Sequence, residues 1–74
     1  MSTTTRLAHF MRVHGIPHGR LATLAGISRQ HLYRLKTGRM EPTRPVMIRL
    51  AAAAAVMRKR RVKVSDLFDL RINT

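Results

Sequence analysis

An all-α fold, a bundle of five short helices, is what this sequence predicts, and three observations predict it. Apolar residues recur at helical spacing along most of the chain. Serine, threonine or proline stands ahead of these runs and glycine behind several of them, where helix starts and stops belong. Finally, 74 residues give room for one small domain. Helices this short do not persist alone, so they must pack on one another.

The first helix follows the caps of "TTTRLAHFMRVHG", with Leu7, Phe10 and Met11 on one face and Gly15 as its stop. Pro17 opens the second, "PHGRLATLAG", because proline is at ease in a first turn. Leu21, Ala22 and Ala25 share one side of it, and Gly26 ends it. Ser28 caps a third helix that runs to about Thr37, with Gly38 as its stop. After the connector "RMEPTRP", Thr43 caps a fourth helix with Pro45 in its first turn. Val46, Met47, Leu50, Ala51, Ala54 and Met57 supply its apolar spacing, and the alanine run suits close helix packing. "RKRRVK" interrupts the pattern, and Ser65 then caps a last helix, "SDLFDL", with Asp66 near the positive end of its dipole.

Charge narrows the function. Fifteen Lys and Arg stand against Glu41, Asp66 and Asp69, a formal net charge of +12. Self-repulsion of that size favours a polyanionic partner, nucleic acid first and an anionic membrane second. The longest apolar stretch, "LAAAAAVM" at 50–57, is far shorter than the roughly 20 residues a membrane span needs. No secretory leader pattern follows "MSTTTR". A soluble cytoplasmic protein is the expectation.

The chain has no cysteine, which removes disulfides, thiolate metal sites and cysteine nucleophiles together. His14 and His18 are four apart, but Gly15 and Pro17 break the helix between them, so no metal site is expected. His9 and His31 read as surface or partner-facing residues. With three scattered carboxylates, no activated nucleophile and no phosphate loop, neither an enzyme, a cofactor nor a small-molecule substrate is expected.

The stretch that carries function is "LATLAGISRQHLYRLKTG". Two helices joined in three or four residues at a steep angle need a turn residue free to take positive φ, and Gly26 supplies it. Ala22 fits where they would cross, Ile27 plugs the turn, and Leu32 and Leu35 bury the inner face of the second. At roughly 100° per residue, Gln30 and Thr37 lie opposite those leucines, flanked by Tyr33 and Arg34. Arg29 sits in the first turn. These side chains can reach and hydrogen-bond base edges.

These residues resemble the helix-turn-helix family of phage Cro and repressor proteins, the Xre family, whose fold is the lambda repressor-like DNA-binding domain. The resemblance runs from about Leu7 to Leu70: Leu21 and Ala22, the turn at 26–28, Leu32, Leu35, the loop at 38–42, then Ile48, Leu50, Ala51 and "VSDLF". It implies a sequence-specific double-stranded DNA-binding transcriptional regulator, most simply a repressor, although activation fits as well. Phage switches, controllers of mobile elements and restriction–modification control proteins share this minimal build.

By the same resemblance, Arg29, Gln30 and Arg34 fall where family members read bases, with Tyr33 beside them. Arg suits guanine O6/N7 and Gln suits adenine N6/N7. His18, Ser28, Lys36, Thr37, Arg39 and Arg44 fall where the DNA backbone is held, and a protonated His18 would hold phosphate better. Met11 and Lys36 replace a frequent Arg–Glu pair, which suggests that Met11 packs on the lysine stem and leaves Lys36 free to face DNA. The segment "AAVMRKRRVKV" is longer than the usual link between the fourth and fifth helices, and the charges of "RKRR" at 58–61 read either as a solvated face or as a phosphate clamp. A homodimer on a palindromic operator is expected, with half-sites about 34 Å apart. Leu67, Phe68, Leu70 and Ile72 are its candidate contacts. The alternative is an antitoxin-like protein whose main partner is a toxin, with operon autoregulation secondary.

Overall fold

The computed structural model describes residues 5–68 and contains, among them, five α-helices and no strand. These are α1 (Arg6–Val13), α2 (His18–Ala25), α3 (Arg29–Lys36), α4 (Arg44–Arg58) and α5 (Val64–Leu67). The expected Leu70 and Ile72 contacts, and Asp69, lie outside the described residues. Among the described residues, no helix is long and apolar enough to cross a membrane.

Hydroxyl side chains start three of the helices, as the sequence predicts. Thr5 accepts from the Ala8 N–H (3.1 Å), Ser28 from His31 (3.0 Å) and Thr43 from Val46 (3.4 Å). Each satisfies one of the N–H groups that a helix leaves unpaired at its start. Pro17 precedes α2 as its cap residue and does not stand inside the first turn. The last helix differs from expectation too: Ser65 lies within α5, which begins at Val64 after Lys63. The start is fixed instead by Asp66, whose carboxylate accepts the Lys63 N–H at 2.9 Å.

Four of the helices stop in the same way. In each, a left-handed residue stands one or two positions beyond the helical end, and the residue after it donates to the carbonyl five positions back. Ile16 donates to Met11 (2.9 Å), Ile27 to Ala22 (3.0 Å), Arg39 to Arg34 (2.9 Å) and Arg60 to Ala55 (3.2 Å). The left-handed residues are Gly15, Gly26, Gly38 and, unexpectedly, Lys59 at φ 55°. Where an isoleucine follows the turn, it packs inward: Ile16 is buried and Ile27 is half-buried against the core. Arginine after the turn stays exposed.

The centre of the bundle is five fully buried leucines, one from each helix: Leu7, Leu21, Leu32, Leu50 and Leu67. Alanines let α2 and α4 approach closely around them, with Ala22 and Ala25 on one and Ala51, Ala53 and Ala54 on the other, all buried. Every buried side chain among the described residues is apolar, so hydrophobic transfer carries the packing. Leu67 and Phe68 belong to this core, exposed 1% and 9%. They are therefore not a dimer surface; α5 is too short to bury anything except by turning both residues inward against α1 and α4.

Candidate nucleic-acid interface

α3 divides cleanly into two faces. Leu32 and Leu35 are buried, while Arg29, Gln30, Tyr33, Arg34 and Thr37 are exposed on the outer side. Tyr33 keeps 51% of its surface exposed, more than a ring that merely covers a neighbouring helix would. No acidic residue occurs before Glu41, so α1, α2 and α3 carry only positive or neutral side chains. The predicted base-facing residues thus share one exposed helix face with no carboxylate on it.

α3 is held at both ends. At its start, His18 of α2 places Nε2 at 2.9 Å from the Arg29 carbonyl oxygen. That contact requires Nε2–H as donor, so Nδ1 is left as an acceptor. Lys36, in the last turn of α3, brings Nζ to 3.4 Å from that Nδ1. His18 therefore bridges the first and last turns of α3. At the far end, the Thr5 hydroxyl donates to the Lys36 carbonyl at 2.7 Å while capping α1 with its lone pair. One threonine joins two helix termini.

These contacts revise parts of the sequence-level picture. Lys36 is not free, since its ammonium is held against His18 and the residue is half-buried. The Thr37 hydroxyl donates into its own helix, to Tyr33 O at 2.9 Å and Arg34 O at 3.3 Å. The donor that a phosphate oxygen would need is thus engaged. Ser28 uses a lone pair for its cap and retains its O–H. Arg39 and Arg44 are exposed, on either side of the α3–α4 connection.

Arg29 is the residue whose placement sequence reasoning could not supply. Its guanidinium lies against Gly19 in the first turn of α2: a β-carbon on Gly19 would come within 2.7 Å of Nη2 and 2.9 Å of Nε. Gly19, a glycine inside a helical pattern, is the one linear signal of such a close approach. α2 has no acid in its first turn, and Pro17 offers no capping side chain. A cation beside the positive end of an uncapped helix is unfavourable until an anion comes between them.

Comparison with protein-family models, with curated proteins and with solved structures gave no match. The reading of this face rests on its own geometry and chemistry.

Proposed function

We propose that the chain is a sequence-specific double-stranded DNA-binding transcriptional regulator of lambda repressor-like type, most simply a repressor. In this reading α2 and α3, joined through Gly26, are a helix-turn-helix unit. One observation carries it: an acid-free outer face on α3 that gathers Arg29, Gln30, Tyr33 and Arg34, on a helix tied at both ends.

In the mechanism this supports, α3 enters the major groove by its first turn. Arg29, Gln30 and Arg34 read base edges, each good bidentate pair contributing about 1–3 kcal/mol of discrimination. Backbone phosphates are held by Ser28, Arg39 and Arg44, which flank that face. Phosphate neutralisation supplies affinity without sequence preference, and the α3 face supplies the preference. A short helix reads few base pairs, so two copies on a palindromic site are expected. Their contact must use residues other than Leu67 and Phe68, which the core consumes.

The test is a binding titration at near-physiological salt, comparing DNA upstream of the chain's own gene with a shuffled copy. Wild type is expected to prefer the native fragment by ~10³-fold or more. Arg29→Ala/Arg34→Ala should lose the preference and keep weak binding. Equal affinity of wild type for both fragments, repeated after selection from random DNA, would defeat the regulator reading.

A further inference from the structure

Away from the outer face of α3, an open cleft of about 1270 Å³ runs between α1, the loop after α3 and the segment joining α4 to α5. Its floor is apolar, with Leu7, Leu35, Leu67 and Phe68 among the lining residues. Around it stand Arg6, Arg12, Arg58, Arg60 and Arg61. Glu41 and Asp66 also line it, and one Asp66 oxygen is engaged by the Lys63 N–H.

Two observations point to a ligand here. The first is Arg58, the last residue of α4, whose Nε is buried with no hydrogen-bond partner among the described residues. Burying a guanidinium N–H without an acceptor is costly, and buried polar groups are ordinarily satisfied. Because Nε is shielded from solvent, a phosphate would reach it only after the guanidinium turns outward, where Nε and an adjacent Nη can grip two oxygens in parallel. The second is an aromatic pair. Phe10 and His14, both lining the cleft, hold their ring centroids 4.4 Å apart at an interplanar angle of 53°. Two aromatic rings, tilted to one another, beside a row of guanidinium groups match a molecule that has a flat ring at one end and a multivalent anion at the other.

We propose that this cleft is a binding site for a mononucleotide, with its phosphate on the guanidinium rim headed by Arg58 and its base on the Phe10–His14 pair. Glu41 and the free oxygen of Asp66 can accept the exocyclic amine hydrogens of a base. The cleft also reaches Gly38, just past the end of α3, so an occupant would lie behind the helix and leave its outer face open. The site stands on its own residues, whether or not α3 reads DNA.

The experiment is a titration of AMP into the full chain, followed by calorimetry and by amide and arginine Nε–H NMR. The expected result is saturable binding of one nucleotide per chain at a sub-millimolar dissociation constant. Shifts should centre on Phe10, His14, Arg58 and Phe68. Adenosine and inorganic phosphate should each bind more weakly than AMP. Arg58→Gln, with helicity checked by circular dichroism, should weaken AMP by about tenfold or more. Should that variant fail to fold, Arg61→Gln at an exposed position takes its place, and wild-type affinity there would count against the site.

Arg29→Ala/Arg34→Ala should bind AMP as wild type does. If it weakens AMP as much as Arg58→Gln, the attraction is diffuse charge and the proposal fails. Phosphate binding as tightly as AMP would reduce the cleft to a simple anion site and also overturn it. So would an oligoglutamate peptide that shifts the cleft residues when AMP does not, since the groove would then suit a protein partner.

Discussion

At the end of α2 the chain turns through Gly26 at φ 74°, and at the end of α4 through Lys59 at φ 55°, with the same pair of backward hydrogen bonds behind each turn. Beyond the turns the two segments diverge. After Gly26 comes Ile27, which folds towards the core, and α3 starts two residues later. After Lys59 comes Arg60, which stays exposed, and the chain runs on through 61–63 before α5. The left-handed residue ends the helix, and the residue after it decides whether the chain turns in or away. Glycine takes the left-handed conformation freely, whereas lysine pays about 1–2 kcal/mol for its β-carbon. A cation at the carboxy end of a helix recovers part of that through the dipole.

The contrast between the two turns can be broken most forcefully at the inward-turning residues. Ile16 ends α1 as Ile27 ends α2, and it is buried to 8% exposure. Ile16→Ala should cost about 2–4 kcal/mol in urea denaturation, the range for emptying a core site. Arg60→Ala, at the equivalent outward position, should cost less than about 0.5 kcal/mol. Similar losses at the two sites would erase the distinction between inward and outward turns.

Gly26→Ala tests the turn itself. Its β-carbon would meet nothing within 4 Å, so the cost is backbone conformation alone, about 1–2 kcal/mol. A smaller effect is expected from His18→Ala, which removes the bridge to Arg29 and Lys36. About 1 kcal/mol should be lost, and amide exchange should quicken in the first turn of α3 more than in α4. Uniform acceleration would show that His18 does not brace α3 selectively. The smallest change has the opposite sign. Lys59→Gly relieves the strained turn and should raise stability by under about 1 kcal/mol, because glycine gives back part of the gain as chain entropy.

Much of the helical frame was legible in the linear pattern, because its signals are local. Thr5, Ser28 and Thr43 cap within three residues of themselves, and Gly15, Gly26 and Gly38 stop helices at their own positions. The exposed set on α3 was equally legible, since Leu32 and Leu35 fix the inward side of an eight-residue helix. Ser65 misled because a serine before an acid resembles a cap, and the capping group in fact is Asp66. Leu67 and Phe68 misled for another reason: an apolar pair near a terminus fits a core or an interface equally well until its neighbours are known.

By itself, then, the sequence determined the starts of α1, α3 and α4 and the stops of α1, α2 and α3, which faces of α2, α3 and α4 turn inward, and the absence of acids across the first three helices. Those are matters of backbone chemistry and period within a few residues. Only the tertiary structure decided that Leu67 joins one leucine from each other helix, that Arg29 rests on Gly19, and that His18 spans both ends of α3. It alone placed Arg58 over a cleft walled by α1 and α5. Such contacts join residues from 10 to more than 50 positions apart, and no local rule of spacing or propensity relates positions so distant along the chain.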